Sequence, residues 1–424
     1  MHMPLRFRFH RLINPVQHYA WGSSSDIPCL LGVQGGNEPW AELWMGAHPA
    51  SPSQVDLPSG AAGLDRLIAA DPVYCLGERA AGKYGALPFL FKLLAAGKPL
   101  SIQAHPNLAQ AKEGFERENK ANIAIDASSR NYKDPNHKPE IICALTPFTG
   151  LCGFRPPAEI RRMLEAFLKQ APAVIKDGFA RMMNLLKNTP RGGMPAQREE
   201  ESLLENFFVE LFNLSQDVRE ALTEYILSLN SSSSSPEINS SEMDLMTQFA
   251  ELYPNDPAVI APLYLNVFRL EPGEAVFLKA GILHAYCSGF GVELMANSDN
   301  VLRGGLTAKH IDIPELVHVL DFSPFAPRII KPAQGASRFT YADEGTSGCE
   351  EFSLSVLYGS SGGAGNDLSV FAAKGPAIAI VTEGEAIIAD TVLKQGESVF
   401  IPAADAGPLP LKGNYTIYAA SLPK

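Results

Sequence analysis

The sequence predicts a mainly β chain interrupted by an α-helical insertion, with two β-barrels accounting for the strands. Three observations predict this. Short apolar runs alternate with turn residues, which are abundant at 35 Gly and 33 Pro. A single central block carries apolar residues at helical spacing. One strand-turn unit occurs twice.

Residues 1–155 are rich in Gly, Pro and aromatics, and the apolar runs at 87–94 and 141–145 read as short strands joined by turns. The text then changes. Pro156-Pro157 precedes Ile160, Leu164, Phe167, Leu168 and Ala171, an apolar stripe with proline at its start. Leu203, Leu204, Phe207, Phe208 and Leu211 repeat the spacing, as do Val218, Leu222, Tyr225, Ile226 and Leu229. The serine run 231–235 reads as a mobile loop. A last helix follows through Leu245, Met246, Phe249 and Leu252, stopped by Pro254. Strand-like text returns at 263–270 and continues to the end, with 359–365 as a hairpin loop.

The repeat aligns Leu270-Glu-Pro-Gly-Glu-Ala-Val-Phe-Leu-Lys-Ala280 with Leu393-Lys-Gln-Gly-Glu-Ser-Val-Phe-Ile-Pro-Ala403, identical at six of eleven positions. Such a unit resembles those of double-stranded β-helix (cupin, jelly-roll) barrels, where a histidine shortly afterwards reaches inward as a metal ligand. His284 lies eleven residues after Gly273; the second copy has Gly407 at that offset. Two related barrels follow, one metal-binding and one that has lost its metal. The expected division is a discontinuous catalytic domain of residues 1–155 and 261–325, a helical domain of 156–260, and a metal-free barrel of 326–424.

At 424 residues the chain is long enough for two or three domains. A net charge of -11 opposes nucleic acid or an anionic membrane as partner. The six cysteines contain no C-x-x-C pair and read as thiols of a reducing cytoplasm. No run is long and apolar enough to span a bilayer, and the first ten residues lack the apolar core of a secretory signal.

Three stretches concentrate candidate ligands. Ser101-Ile-Gln103-Ala-His105-Pro-Asn107 places Gln103 and His105 on one face of a strand, and Asn136-His137-Lys138-Pro-Glu140 does the same for Lys138 and Glu140. Gly281-Ile-Leu-His284-Ala-Tyr286 supplies the second imidazole. One carboxylate, two imidazoles and an amide suit zinc and are acceptable to iron, manganese or cobalt. Each residue alone is more often structural; the case rests on their convergence. Lys98, Lys138, Arg303 and Lys309 flank these stretches, and in an acidic protein such local cations suit an anionic group such as phosphate.

Several segments together resemble the type I phosphomannose isomerases. They are Tyr19-Ala-Trp21-Gly22, Ala41-Glu-Leu-Trp-Met-Gly-Ala-His-Pro49, Leu87-Pro-Phe-Leu-Phe-Lys92, Pro99 through Asn107, and His137-Lys-Pro-Glu140. Gly150-Leu-Cys-Gly-Phe-Arg-Pro156, His284-Ala-Tyr286 and Ser298-Asp-Asn-Val-Leu-Arg-Gly-Gly-Leu-Thr307 complete the set. The helical block and the last hundred or so residues match only loosely. The resemblance implies one zinc held by Gln103, His105, Glu140 and His284, with Arg303 at the active site. It implies interconversion of mannose 6-phosphate and fructose 6-phosphate, an activity of carbohydrate metabolism connected to GDP-mannose biosynthesis. Gly304 departs from the family's frequent alanine, an expected loosening of the turn that carries Arg303.

Aldose–ketose isomerisation needs stabilisation of an enediolate oxygen and a base near C1 and C2. Glu293, on the strand after His284, is the candidate base; His137 and Lys138 are rivals for proton shuttling or ring opening. Ser101 and Lys309, with Arg303, are expected to hold the phosphate, and Trp21 and Tyr286 to wall the sugar. The expected partner is a small sugar phosphate, and the expected state a cytoplasmic monomer. Two other readings stay open. An iron- and 2-oxoacid-dependent oxygenase would want an acidic residue two positions after His105, where Asn107 stands. A non-catalytic metal cupin would bind a sugar phosphate without converting it.

Overall fold

The computed structural model describes residues 9–57, 60–187, 196–229, 236–342, 344–360, 367, 375–388, 391–405 and 409–423. The serine run 231–235, Gly407 and most of the loop at 359–365 lie outside these residues.

The first β assembly is built around the longest strand, His284–Ala296. Its first half pairs with Gln103–Ala104 and Phe148–Phe154, its second half with Phe89–Ala96 and Glu140–Ala144. Beyond these lie Glu42–Met45 and Val16–Gln17 on one side, and Ala275–Leu278 and Ile329–Ile330 on the other. Phe89–Ala96 is buried at all eight positions, as a strand covered on both faces must be. Lys92 in its middle is therefore buried too.

Phe148–Phe154 and Leu265–Leu270 are antiparallel partners, with Phe154 opposite Leu265. The helical block is thus one long excursion between two neighbouring strands. It forms helices Pro157–Leu168, Ala173–Lys187, Ala196–Phe212, Gln216–Ser228 and Ser240–Leu252. The expected apolar stripe is buried at Ile160, Leu164, Phe167, Phe207, Phe208, Leu211, Leu222, Ile226 and Phe249, but Leu252 is 39% exposed at the helix end. These side chains share one core with Ile102, Leu151 and Leu283 beneath the candidate site.

The region before residue 155 is less purely β than expected. It contains helices Asp26–Leu31, Leu64–Ala70, Pro72–Leu76, Glu78–Tyr84 and Leu108–Lys120. The last carries a full capping box, with Asn107 and Gln110 exchanging side-chain and backbone bonds. Asn107 is therefore a helix cap.

The second β assembly orders Arg338–Ala342, Ser353–Gly359, Leu411–Ser421, Ala377–Ile388 and Ser398–Ile401. Strand His10–Ile13 pairs onto Ser398–Ile401 and continues to Gln54–Val55, so N-terminal chain completes the C-terminal sheet. The repeated unit takes the same form twice: Gly273 and Gly396 both have φ of 85°, each leading into a four-residue strand, Ala275–Leu278 and Ser398–Ile401. A side chain is strongly disfavoured at that φ, which is why the glycine stands in both copies. The two assemblies share a core, with Phe91, Ile141 and Phe290 clustered with Phe352, Ile378 and Tyr418.

Candidate metal centre

Register brings the candidate ligands together. Gln103 lies opposite His284 on one side and Arg303 on the other. Directly opposed residues share a face of a sheet, so these three form a row. Glu140 begins the strand that pairs with the second half of His284–Ala296.

His284 and Glu293 are nine residues apart, and an odd separation puts residues of a regular strand on opposite faces. Here the register slips between Tyr286 and Ser288, leaving Cys287 unopposed. Gly289 follows with φ of 117°, and a Cβ there would meet the Pro147 carbonyl at 2.7 Å. One extra residue reverses the alternation. Tyr286, on the His284 face, donates its hydroxyl to Glu140 at 2.9 Å, and Glu293 is close enough to Glu140 to be shifted by its charge.

His105, Glu140 and His284 place one ligand atom each within 4.8 Å of one another, all three buried. His105 Nδ1 donates to the Asn300 carbonyl at 2.7 Å and His284 Nδ1 to the Ile282 carbonyl at 2.8 Å. A ring whose Nδ1 carries the hydrogen turns an Nε2 lone pair outward. Those lone pairs stand 3.4 Å and 3.1 Å from the two Glu140 oxygens. At this spacing lone pair and carboxylate repel unless a cation lies among them. None of His105 Nε2, His284 Nε2 and Glu140 Oε2 has a hydrogen-bond partner, a deficit that a metal ion would satisfy. Burial, assisted by Lys138, lowers the His105 imidazole to about 4 and keeps it neutral, the form a metal needs. Burial pushes the Glu140 carboxyl up, but the Lys138 ammonium, first among the opposing groups, acts to hold it well below its usual range. The donor set, two imidazole nitrogens and a carboxylate with the half-buried Gln103 amide beside them, fits zinc.

Asn300 supports two ligand segments at once. Its carbonyl orients His105, while its side chain accepts from the amides of Lys133 and Asp134 and donates to the Asn136 carbonyl, before Glu140. The sequence reading did not single it out.

It also missed Lys92. The Lys92 ammonium lies 2.9 Å from Glu293 and 3.4 Å from Glu42, whose other oxygen accepts from the Trp44 indole at 2.7 Å. Trp44, Lys92 and Glu293 are cross-strand neighbours. Burial pushes the Glu293 carboxyl up, with Lys92 opposing and Glu140 assisting. A lone lysine in an otherwise apolar eight-residue strand was the available signal, because a buried ammonium requires a carboxylate partner.

The other expected residues are placed as follows. Lys138 is buried with its ammonium 3.6 Å from Glu140. The Tyr286 ring is buried against Phe148, and its hydroxyl serves Glu140. Trp21 packs against the same cluster as Tyr286. His137 turns to Glu351 of the second β assembly, at 3.0 Å. Burial lowers Arg303, and burial, with the Arg303 charge assisting, lowers Lys309. Neither forms an ion pair with a described residue. Ser101 is half-buried, and the Ile102 beside it exchanges backbone bonds with Gly304 and Gly305 at 2.7 Å and 3.0 Å. Those bonds tie the Arg303 turn to the segment that carries Gln103 and His105.

Comparison with known proteins agrees with this geometry. The family "Phosphomannose isomerase type I, catalytic domain" matches residues 9–157. Mannose-6-phosphate isomerase of Escherichia coli (strain K12) is 38% identical over 417 residues, covering 95% of this chain and 97% of that protein. The Rattus norvegicus enzyme of the same name is 38% identical over 335 residues, 73% of this chain and 72% of its own. Among solved structures, a variant of phosphomannose isomerase from Salmonella typhimurium superposes with a TM-score of 0.83 at 34% identity, covering 99% of this chain and all of that one. A zinc-bound mannose 6-phosphate isomerase gives 0.82 at 34% identity, with the same coverage. With a relative this similar along nearly its whole length, the chain belongs to the type I phosphomannose isomerase family.

Proposed function

We infer that this protein is a zinc-dependent isomerase that interconverts D-mannose 6-phosphate and D-fructose 6-phosphate. The observation that carries the reading is the trio His105 Nε2, Glu140 Oε2 and His284 Nε2, buried, convergent and without hydrogen-bond partners. His105, Glu140 and His284, with Gln103, would hold the zinc; when bound it supplies Lewis-acid stabilisation to oxygens of the sugar. The protein's own residues do the rest. Arg303 and Lys309, cations with no carboxylate partner among the described residues, receive the phosphate with Ser101, and Arg303 also faces developing oxyanion charge. Trp21 walls the sugar.

Glu293 is the base. In the forward direction it takes the proton from C2 of the open-chain aldose, leaving an enediolate across C1 and C2, and returns it to C1. The proton of the C2 hydroxyl is transferred to the C1 oxygen in the same cycle. Burial raises Glu293 toward the range a base working near neutral pH requires, and Lys92 fixes its position. Lys138, beside Glu140, is the candidate for ring opening. Among the described residues the candidate metal cluster lies in the first β assembly. The six cysteines are free, five of them buried, which supports work in a reducing compartment such as the cytoplasm. No helix among the described residues is long and apolar enough to cross a membrane.

Metal analysis with a coupled assay tests the reading. The purified chain should carry one zinc and convert mannose 6-phosphate, and His284→Ala should lose metal and turnover together. Binding of the sugar phosphate without conversion would favour the non-catalytic alternative.

A further inference from the structure

Residues 349–351, in the second β assembly, reach the segment just before the ligand Glu140. Glu351 Oε1 lies 3.0 Å from His137 Nε2, and its other oxygen accepts from the Cys349 thiol at 3.3 Å. The segment is anchored on both sides. Glu350 pairs with Lys83 and its carbonyl accepts from the Tyr84 hydroxyl at 3.1 Å. Phe352 is fully buried against Phe277.

His137 and Lys138 are adjacent but diverge: the imidazole goes to Glu351 and the ammonium to Glu140. They belong to neither helix nor strand. The chain before them is fixed by Asn300 and Ser298 bonding the Asn136 carbonyl, and the chain after them by the Ala296 amide bonding the Pro139 carbonyl at 3.0 Å. Between those anchors no backbone hydrogen bond holds residues 137 and 138 among the described residues, so side chains must. Beside His137 lies a cavity of about 150 Å³ lined by Tyr84, Leu87, Leu108, Asn297 and Glu351. It gives the imidazole room to swing if it is released.

We propose that Glu351, from the second β assembly, is a positioning residue for the first: by holding His137 it sets Lys138 against Glu140. This rests on the isomerase reading for its kinetic consequence and on the geometry alone for its structural one. It also gives the second assembly a task in catalysis beyond covering a sheet edge.

The test compares the zinc-loaded full-length wild type with Glu351→Ala, Glu351→Gln, His137→Ala and the double alanine variant, with Glu350→Ala as a control for docking of the two assemblies. Glu351→Ala should lower kcat about tenfold, as a small misplacement of a reacting group does, while KM stays within about twofold. Glu351→Gln should recover most of the loss, and the double variant should be no worse than His137→Ala. Amide hydrogen exchange across 136–140 should quicken in both single alanine variants and not in Glu350→Ala. Unchanged kcat and exchange in Glu351→Ala, additive losses in the double variant, or an equal loss in Glu350→Ala would each overturn the proposal. Should Glu351→Ala fail to fold, His137→Ala breaks the same link from the other side. A wild type that does not interconvert the two hexose phosphates would sink the isomerase reading, and the exchange measurement would still judge Glu351.

Discussion

Arg303 is partly buried, and its charge is felt at Lys309, in a protein of net charge -11. A partly desolvated cation without a carboxylate partner gains from an arriving anion, which is the role proposed for Arg303. Arg303→Ala should therefore cut kcat on the order of a hundredfold, the scale of losing one donor to a developing oxyanion, while zinc remains bound. If KM alone rose, the guanidinium would serve the phosphate only. Glu351 makes a second prediction at this scale. Burial pushes its carboxyl up, but the His137 hydrogen bond and charge, with the Cys349 thiol, overcome that and hold it down to about 2. A depressed carboxyl stabilises the fold above its ordinary range and loses that contribution as pH falls toward its folded value. In urea melts, the stability gap between wild type and Glu351→Gln should shrink from about pH 5 to about pH 2.5. A gap that widened on acidification would contradict this assignment.

At the scale of the element, the decisive feature is the slip in strand His284–Ala296. It lets one strand serve both halves of the first assembly and turns His284 and Glu293 to the same interior. Gly289→Ala places a Cβ at φ of 117°, 2.7 Å from the Pro147 carbonyl. It should destabilise the fold by about 2 kcal/mol or more and lower kcat, because Glu293, the proposed base, moves relative to His284. Denaturant midpoints and kinetics on the folded fraction check both; a variant with wild-type stability would show that the bulge does not need glycine. The slip was not legible in the sequence. Alternation from His284 puts Glu293 on the wrong face, and nothing local marks Cys287 as unpaired. The capping box at Asn107 and Gln110 is legible, because Asn followed three residues later by Gln marks a helix start inside the segment expected to be strands and turns.

For the whole molecule, the consequential fact is that the two β assemblies are joined by strands and by core. His10–Ile13 completes the C-terminal sheet, and the apolar cluster around Phe91 and Ile141 runs on into Phe352 and Tyr418. The assemblies should unfold in one calorimetric transition with matching calorimetric and van't Hoff enthalpies. Two resolved peaks would show that they are stable independently. The helical insertion shares its core with residues beneath the site, which ties the position of Arg303 to an excursion of more than a hundred residues through Leu302, Leu306 and Ile102.

What the sequence determined by itself was local. Spacing of two set Gln103 beside His105 and Lys138 beside Glu140. Helical periodicity marked the insertion, and a repeated glycine marked the two like turns, because these features depend on backbone geometry over a few residues. What the tertiary structure decided was everything that crosses long stretches of chain: the parity that aims Glu293 inward, the Lys92–Glu293 pair, the Asn300 carbonyl behind His105, and the reach of Glu351 to His137. These partners are far apart in sequence and meet only through register and burial. A buried charge acquires its meaning from the group packed against it, and no window of sequence contains both.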